Sequence, residues 1–271
     1  MVRLVFVDVD GTLVGKEGVP ECVWPAVEAL RTKGLRLSLI TGRPGRGHAL
    51  AYARRLDPTG LHVFESGAVV LAFSQDPHSP PTHPLRVEAL PQEAAREAIR
   101  LARRLGLPLE GYTADGGFFL EGDSPLLKAH QELLGVVAEE ADLLRIPTPL
   151  VRLQVLAEAQ APLGALLDSL PQELQAHVAE SPRMPGVRFV SLTKRGVSKL
   201  SAARFVAESY GLTLAQCAMV GEGENDLELI QGVGLGIAMG NASPRVKKAA
   251  QRVVAPVEAC GLAEALLGLS E

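Results

Sequence analysis

Acidic, hydroxyl, lysine and amide side chains are concentrated in four short segments of the chain. They are Asp-Val-Asp-Gly-Thr at 8–12, Thr-Gly-Arg at 41–43, Gly-Val-Ser-Lys at 196–199 and Gly-Glu-Gly-Glu-Asn-Asp at 221–226. Carboxylates can bind a hard cation through oxygen, attack an electrophile or move a proton. Hydroxyl, ammonium and backbone N–H groups can bind phosphoryl oxygens. Brought together, the four segments would form an anionic metal site beside donors for a phosphate group.

The elements that must position these segments follow an alternating pattern. Residues 4–7 form a continuous apolar run, typical of a strand buried on both faces. Helical spacing at 22–33 and 44–56 separates this run from strand-like runs at 35–40 and 61–64, and the alternation returns from Gly196 to the end. This order predicts a doubly wound α/β core with a parallel sheet. Ligands bind beyond the carboxyl ends of such strands, which is where the four segments fall.

The middle of the chain has a different pattern. Residues 74–84 include four prolines and predict an irregular linker without a regular element. Beyond it, helical patterns at 91–105 and from Ser124 surround a hairpin with an Asp115-Gly116 turn. Residues 150–156 alternate apolar side chains with Arg152 and Gln154, which predicts a sheet with one wet face. We therefore expect an α+β domain inserted into the α/β core.

Length and composition exclude several classes of protein. A chain of 271 residues with 47% hydrophobic content can fill real cores. A net charge of -4 and 4% aromatic residues provide neither a basic surface nor stacking side chains for nucleic acid. No apolar run approaches the roughly 18 residues of a membrane helix, and no signal-peptide pattern follows Met1. We expect a cytoplasmic monomer or small homo-oligomer with no nucleic acid or membrane partner.

The cysteines and histidines do not indicate a disulfide, a metal site or a catalytic role. Cys22, Cys217 and Cys260 are odd in number and far apart, so the sequence predicts core thiols, with no disulfide and no zinc site. The six histidines show no metal-ligand spacing, and no catalytic role is predicted for them.

Taken in chain order, the four segments resemble the haloacid dehalogenase (HAD) superfamily of phosphohydrolases. Glu-Ser-Gly-Ala at 65–68 and Ala-Met-Gly-Asn-Ala at 238–242 are similar to turns of its Cof-like branch, which has a class IIB cap. The resemblance covers about 1–75 and 190–271, whereas the cap matches only in length and α+β pattern. It implies a Rossmann-like HAD core of residues 1–78 and 190–271 with an inserted cap domain at 79–189.

The resemblance also implies an activity, which is hydrolysis of small phosphate monoesters such as sugar phosphates or phosphorylated cofactors. Asp8 would be the nucleophile that forms an aspartyl-phosphate, and Asp10 the acid toward the leaving alkoxide and then the base for water. A turn at Gly11 would let Asp10 reach the opposite end of the reaction axis.

Phosphate and metal binding are assigned to the remaining motif residues on the same basis. The phosphoryl oxygens would be bound by Thr41, Gly42, Lys199 and Asn225. Mg²⁺ is the expected cofactor, held by Asp8, the Asp10 backbone carbonyl, Glu222, Asp226 and waters. Arg43 and Asn241 are further candidates for substrate contact, with a structural hydrogen bond or a turn as their alternative roles.

One position departs from the family's pattern, which has Asp where this chain has Glu222. The extra methylene would crowd an octahedral metal site unless the loop retracts or Asp226 takes over the contact. A catalytically impaired phosphate-binding protein is therefore one alternative, and a phosphotransferase or phosphomutase on the same core is another. Taken one at a time, Asp8 and Asp10 would suit a turn at a strand end, Thr41 a helix N-cap and Lys199 a solvated lysine. Their joint occurrence at one predicted sheet edge favours a phosphoryl site.

Overall fold

The computed structural model of the chain describes residues 1–75 and 82–269. The first part contains β1 (Leu4–Val7), α1 (Val23–Thr32), β2 (Arg36–Leu39), α2 (Gly47–Leu56), β3 (Leu61–Phe64), β4 (Val69–Phe73) and β5 (Thr82–Val87). The middle contains α3 (Gln92–Arg104), β6 (Leu109–Thr113), β7 (Phe118–Glu121), α4 (Pro125–Leu134), β8 (Glu139–Glu140), β9 (Leu150–Ala157), α5 (Leu163–Asp168), β10 (Leu174–Glu180) and β11 (Arg188–Lys194). The last part contains α6 (Lys199–Ser209), β12 (Cys217–Gly221), α7 (Leu227–Gly232), β13 (Leu235–Ala238), α8 (Pro244–Ala249), β14 (Arg252–Val253) and α9 (Gly261–Leu267).

A five-stranded parallel sheet forms the centre of the core, in the order β14-β13-β12-β1-β2. All four residues of β1 are fully buried. Val5 and Val7 pack in the apolar cluster that includes α1 and α9, whereas Leu4 and Phe6 pack in the cluster that includes α6 and α7. Because helices cover both faces, the sheet is doubly wound, and the predicted fold class is confirmed.

A small antiparallel sheet, β3-β4-β5, lies next to this core. Its last strand corrects the predicted linker, because Thr82–Val87 includes residues 82–84 that were expected to be irregular. Pro84 is tolerated there because β5 is an edge strand, with a register shift between Val70 and Leu71 in its partner. The rest of the predicted linker from 76 to 81, with His78 and the predicted domain boundary at 78/79, lies outside the described residues.

The middle of the chain forms a six-stranded sheet in the order β10-β11-β9-β6-β7-β8. Arg152 and Gln154 on β9 are buried, so the prediction of a wet face at this strand is wrong. The sequence shows alternation but not the surface that covers it, and here the polar face of β9 is turned toward the core. We propose the division into core and cap that the sequence predicts, with the cap at 88–194 in place of 79–189, since β5 pairs with β4 and β11 pairs with β9.

A disulfide joins Cys22 to Cys260, which corrects the prediction that these cysteines are free thiols. The two residues are 238 positions apart in sequence, yet their Cα atoms are 6.2 Å apart because α1 packs against α9. Spacing along the chain could not reveal this contact, since it depends on the packing of two distant helices. Cys217 is a buried free thiol, as predicted.

Candidate active site

Asp8 lies at the end of β1, at the floor of a cavity of about 480 Å³ between the core and the cap. Its backbone N–H donates to the carbonyl of Val220, 3.1 Å away, which continues the pairing with β12. Its side chain is buried, and Oδ1 accepts a 2.7 Å hydrogen bond from Nζ of Lys199. The strand therefore fixes the backbone of Asp8, while the lysine fixes one carboxylate oxygen.

Lys199 is the first residue of α6, and the start of this helix is well defined. Ser198 caps it, with a side-chain bond from Ser201 N and a reciprocal bond from Ser198 N to the Ser201 hydroxyl. Gly67 lies so close to the cap that an added Cβ would come within 2.4 Å of the Ser198 carbonyl oxygen. Only glycine permits this approach, at a positive φ of 105°, so the turn after β3 holds the start of α6 in place.

Asp226 holds the other side of Lys199 and the loop after β12. Its Oδ1 accepts a 2.6 Å bond from Lys199 Nζ, and its Oδ2 accepts bonds from the backbone N–H groups of Glu222 and Gly223, each at 3.0 Å. Asp226 is fully buried and is not among the residues that line the cavity. Its carboxylate therefore orients the lysine and the loop, and its place outside the cavity lining disfavours the predicted direct contact with a metal.

Asp10 is held by a guanidinium and by a cap residue. Arg43 donates from Nε to Oδ2 at 2.9 Å and from Nη2 to Oδ1 at 2.8 Å, and the Ser181 hydroxyl donates to Oδ1 at 2.9 Å. Burial alone would raise the pKa of Asp10, but the Arg43 guanidinium outweighs it and holds the pKa below its usual value. Arg43 thus binds the predicted acid–base residue, a role that the sequence did not reveal.

Glu222 lines the same cavity and is folded over Gly11. A Cβ on Gly11 would lie 2.8 Å from both Cγ and Cδ of Glu222, and the φ of Gly11 is +71°. Space left by the glycine therefore accommodates the extra methylene that separates Glu222 from the family's usual Asp.

Negative charge is crowded at the floor of the cavity. Burial, with Asp226 adding repulsion, raises the pKa of Asp8 to about 7 although Lys199 opposes the shift. Burial and then the charges of Asp8 and Asp226 raise the pKa of Glu222 to about 8. Both shifts reflect carboxylates that lack enough positive charge around them.

The carboxylate oxygens at the cavity floor suit a hard cation that takes few of its ligands from the protein and the rest from water. Among the described residues, no three His, Cys, Asp or Glu side chains are grouped as a metal site. Asp8 and Glu222 supply two mutually repelling carboxylates, and the side-chain oxygens of Asp10 are occupied by Arg43 and Ser181. Mg²⁺ commonly binds through one or two carboxylates and keeps several waters, so these residues suit it.

The other predicted residues lie around the same cavity. Thr41 follows β2 and accepts a 3.1 Å bond from Arg43 N through its hydroxyl, while Gly42 and Asn225 line the cavity. Asn241 also reaches the lining, but its amide donates to the Gly11 carbonyl at 2.8 Å and accepts from Val257 N at 3.0 Å. Both ends of Asn241 are thus bonded within the protein, which favours its alternative role in fixing a turn.

The cap contributes residues that sequence reasoning did not assign. His130, Arg152, Gln154 and His177 line the cavity, although no histidine was predicted to have a role. Arg152 also bonds the core residue Glu65 at 2.6 Å. The only sequence signal was the pair of polar residues within the apolar β9 segment.

Comparisons with known proteins agree with this arrangement. The family model described as haloacid dehalogenase-like hydrolase matches residues 5–266. The chain belongs to this family. The predictions of a Cof-like HAD phosphohydrolase and of a phosphoric monoester hydrolase are thereby confirmed.

The relatives of this hydrolase span nearly its whole length. It is 26% identical over 249 residues to the HMP-PP phosphatase of Cronobacter sakazakii, covering 91% of this chain and 87% of the relative. It is 24% identical over 267 residues to the 5-amino-6-(5-phospho-D-ribitylamino)uracil phosphatase YitU of Bacillus subtilis, covering 97% and 96%.

Solved structures share the fold of the hydrolase. A HAD subclass IIB sugar phosphatase, BT4131, aligns with a TM-score of 0.83 and 23% identity, covering 99% of each chain. A haloacid dehalogenase-like hydrolase from Bacteroides thetaiotaomicron aligns with a TM-score of 0.82 and 24% identity, covering 99% of this chain and 100% of that chain.

Proposed function

We propose that this hydrolase is a Mg²⁺-dependent phosphatase that cleaves small phosphate monoesters through an aspartyl-phosphate on Asp8. The observation that carries the proposal is the position of Asp8 at the cavity floor, bonded to Lys199 through one oxygen and facing a cavity that Asp10 also lines. A lysine bond to Oδ1 leaves the second carboxylate oxygen to attack phosphorus. Bound Mg²⁺ would lie at Asp8, Glu222 and the Asp10 carbonyl and would offset the charge of the phosphoryl group.

In the first step, a carboxylate oxygen of Asp8 forms a bond to phosphorus while the ester oxygen leaves and takes a proton from Asp10. In the second step, water attacks the aspartyl-phosphate and gives its proton to Asp10, which frees Asp8 and releases phosphate. The Arg43 bonds stabilise ionised Asp10, so this geometry suits the second step. Asp10 must separate from Arg43 before it carries the proton needed in the first.

The leaving group is expected to be a small phosphorylated metabolite. A cavity of about 480 Å³ lies within the size range of small-molecule sites, and residues of the cap form part of its lining. The names of the relatives refer to small phosphorylated substrates, which supports the same size class.

Among the described residues, no helix is long and apolar enough to cross a membrane.

The test is a panel of phosphate monoesters assayed for released phosphate with Mg²⁺ and with EDTA. We expect turnover that requires the metal and falls by at least about a thousandfold in Asp8→Asn, which keeps the shape but loses the nucleophile. Asp168→Asn, in the cap helix α5, is the matched control and should keep full activity. Equal turnover by the wild type and Asp8→Asn would refute the proposal. Release of the phosphoryl group to an added alcohol instead of water would favour a phosphotransferase.

A further inference from the structure

A row of polar side chains crosses the buried face of the cap sheet. The strand register pairs His177 with Ser191, Ser191 with Gln154, and Gln154 with Glu110. His177, Ser191 and Gln154 line the cavity, and Glu110 is fully buried. Buried sheet faces are normally apolar, so a continuous polar row facing a cavity requires hydrogen-bond partners.

The hydrogen bonds of this row leave donors unused. Gln154 accepts through Oε1 from the Ser191 hydroxyl at 2.8 Å and from Nη1 of Arg152, but no described residue accepts from its amide nitrogen. Arg152 bonds Glu65 through Nε, while its Nη2 is buried without a partner. Arg152 is thus held within the protein, and the amide nitrogen of Gln154 is the donor of this row that remains for a ligand.

His130 adds a third group at the same end of the cavity. Its Nδ1 lies 2.8 and 2.9 Å from the two Glu110 oxygens, and the Tyr112 hydroxyl donates to the same carboxylate at 2.6 Å. An ionised carboxylate only accepts, so Nδ1 carries a proton and Nε2 is the ring atom left for a ligand.

At the cap end of the cavity, the charged side chains either face an opposite charge or are negative. Glu65 offsets Arg152, and Glu110 faces His130 at hydrogen-bond distance. Glu180 also lines the cavity, without an opposite charge bonded to it among the described residues. The cap end therefore offers an amide donor and an imidazole nitrogen without an excess of positive charge. An uncharged, oxygen-rich group would bind here, whereas a carboxylate would meet net repulsion.

We propose that Gln154 and His130 form a leaving-group subsite that binds the hydroxyl groups of an uncharged polyol and discriminates against acidic leaving groups. The inference rests on the proposed phosphatase function and adds the substrate class. The two side chains determine specificity by contacting the alcohol portion of the ester, and they take no part in the chemistry at phosphorus.

The test compares two open-chain six-carbon esters that differ only at the far end, glucitol 6-phosphate with a CH₂OH group and 6-phosphogluconate with a carboxylate. We expect kcat/KM to be at least about tenfold higher for glucitol 6-phosphate, since tenfold corresponds to only about 1.4 kcal/mol. Gln154→Glu keeps the acceptor for Arg152 and Ser191 but removes the amide donor. His130→Asn keeps a donor toward Glu110 but removes Nε2. Each should lower kcat/KM for glucitol 6-phosphate at least about fivefold, mainly through KM.

Binding is measured separately by calorimetry with glucitol 6-phosphate and the Asp8→Asn protein, where Gln154→Glu should weaken the affinity. Gln92→Glu, at the exposed start of α3, makes the same chemical change away from the cavity and should alter neither preference nor affinity. Equal kcat/KM for the two esters, or an unchanged kcat/KM for glucitol 6-phosphate in Gln154→Glu, overturns the subsite while hydrolysis persists. Failure of the wild type to hydrolyse any ester overturns the phosphatase function as well.

Discussion

At the scale of single residues, the site depends on a lysine shared by two buried carboxylates. Lys199 donates to Asp8 and to Asp226, so its loss would leave two like charges facing each other without water. We expect Lys199→Met to lower kcat at least about a hundredfold, with little recovery in Lys199→Arg, because a planar guanidinium does not fit a point-charge position. Steady-state hydrolysis assays measure kcat for both Lys199 variants. Lys248→Met, on the exposed side of α8, is the control, and comparable losses in the two Met variants would contradict this role for Lys199.

Glu222 is the residue at which this chain departs from its family. Its carboxylate is one of two at the proposed cation site, so Glu222→Gln should weaken Mg²⁺ binding at least about tenfold. Titration of the metal by calorimetry, without substrate, measures this affinity directly. Glu224→Gln removes an acid two positions away that bonds Ser243 and Arg245, and it should leave the affinity unchanged. An unaltered affinity in Glu222→Gln would show that Glu222 is not a ligand.

At the scale of elements, β3 contains a histidine that makes stability depend on pH. His62 is fully buried, accepts from Leu39 N at 2.9 Å through Nδ1, and donates from Nε2 to the Asp57 carbonyl 2.8 Å away. Burial lowers its pKa to about 4, whereas the unfolded chain has a pKa near 6.5. Between these values the unfolded state binds more protons, so stability decreases as the pH falls from about 6.5 toward 4.

We expect the neutral histidine to account for about 2–3 kcal/mol of the free energy of unfolding that is lost between pH 7 and pH 4.5. His62→Gln should be less stable than the wild type at pH 7, because it loses two well-formed bonds, but the difference should narrow at pH 4.5. Urea unfolding at pH 7 and at pH 4.5 measures the difference in the free energy of unfolding between His62→Gln and the wild type. His83→Gln, on the exposed edge strand β5, should show no such narrowing. A constant difference for His62→Gln would contradict the assignment.

The elements of the core were predictable because each of their signals is local. The apolar run of β1, the helical spacing before Gly34 and the motif residues after each strand are all visible in short windows, and parallel topology brings the motifs together. The face of β9 was not predictable, because alternation of polar and apolar residues is the same whether water or another domain covers the polar side. Arg43 was ambiguous for a related reason, since its partner Asp10 is 33 positions away and the bond depends on how two loops pack.

At the scale of the whole molecule, one covalent link joins the two ends of the chain. The disulfide between Cys22 and Cys260 closes a loop of 238 residues, for which chain entropy gives a stabilisation of about 5.5 kcal/mol. We expect reduction to lower the thermal midpoint of the wild type and to leave Cys22→Ser/Cys260→Ser unaffected. Thiol titration of the denatured protein should give one free group before reduction and three after it. Three groups in the unreduced protein would show that the link does not form.

The ion pair between Glu65 and Arg152 has a consequence for movement of the cap relative to the core. One partner follows β3 in the core and the other belongs to β9 in the cap, and both are buried. Moving β9 away from the turn after β3 would separate this buried anion from its cation, and water would have to hydrate both. At this point cap and core are therefore held together by charge as well as by apolar packing, and a change in their spacing costs the energy of solvating two ions.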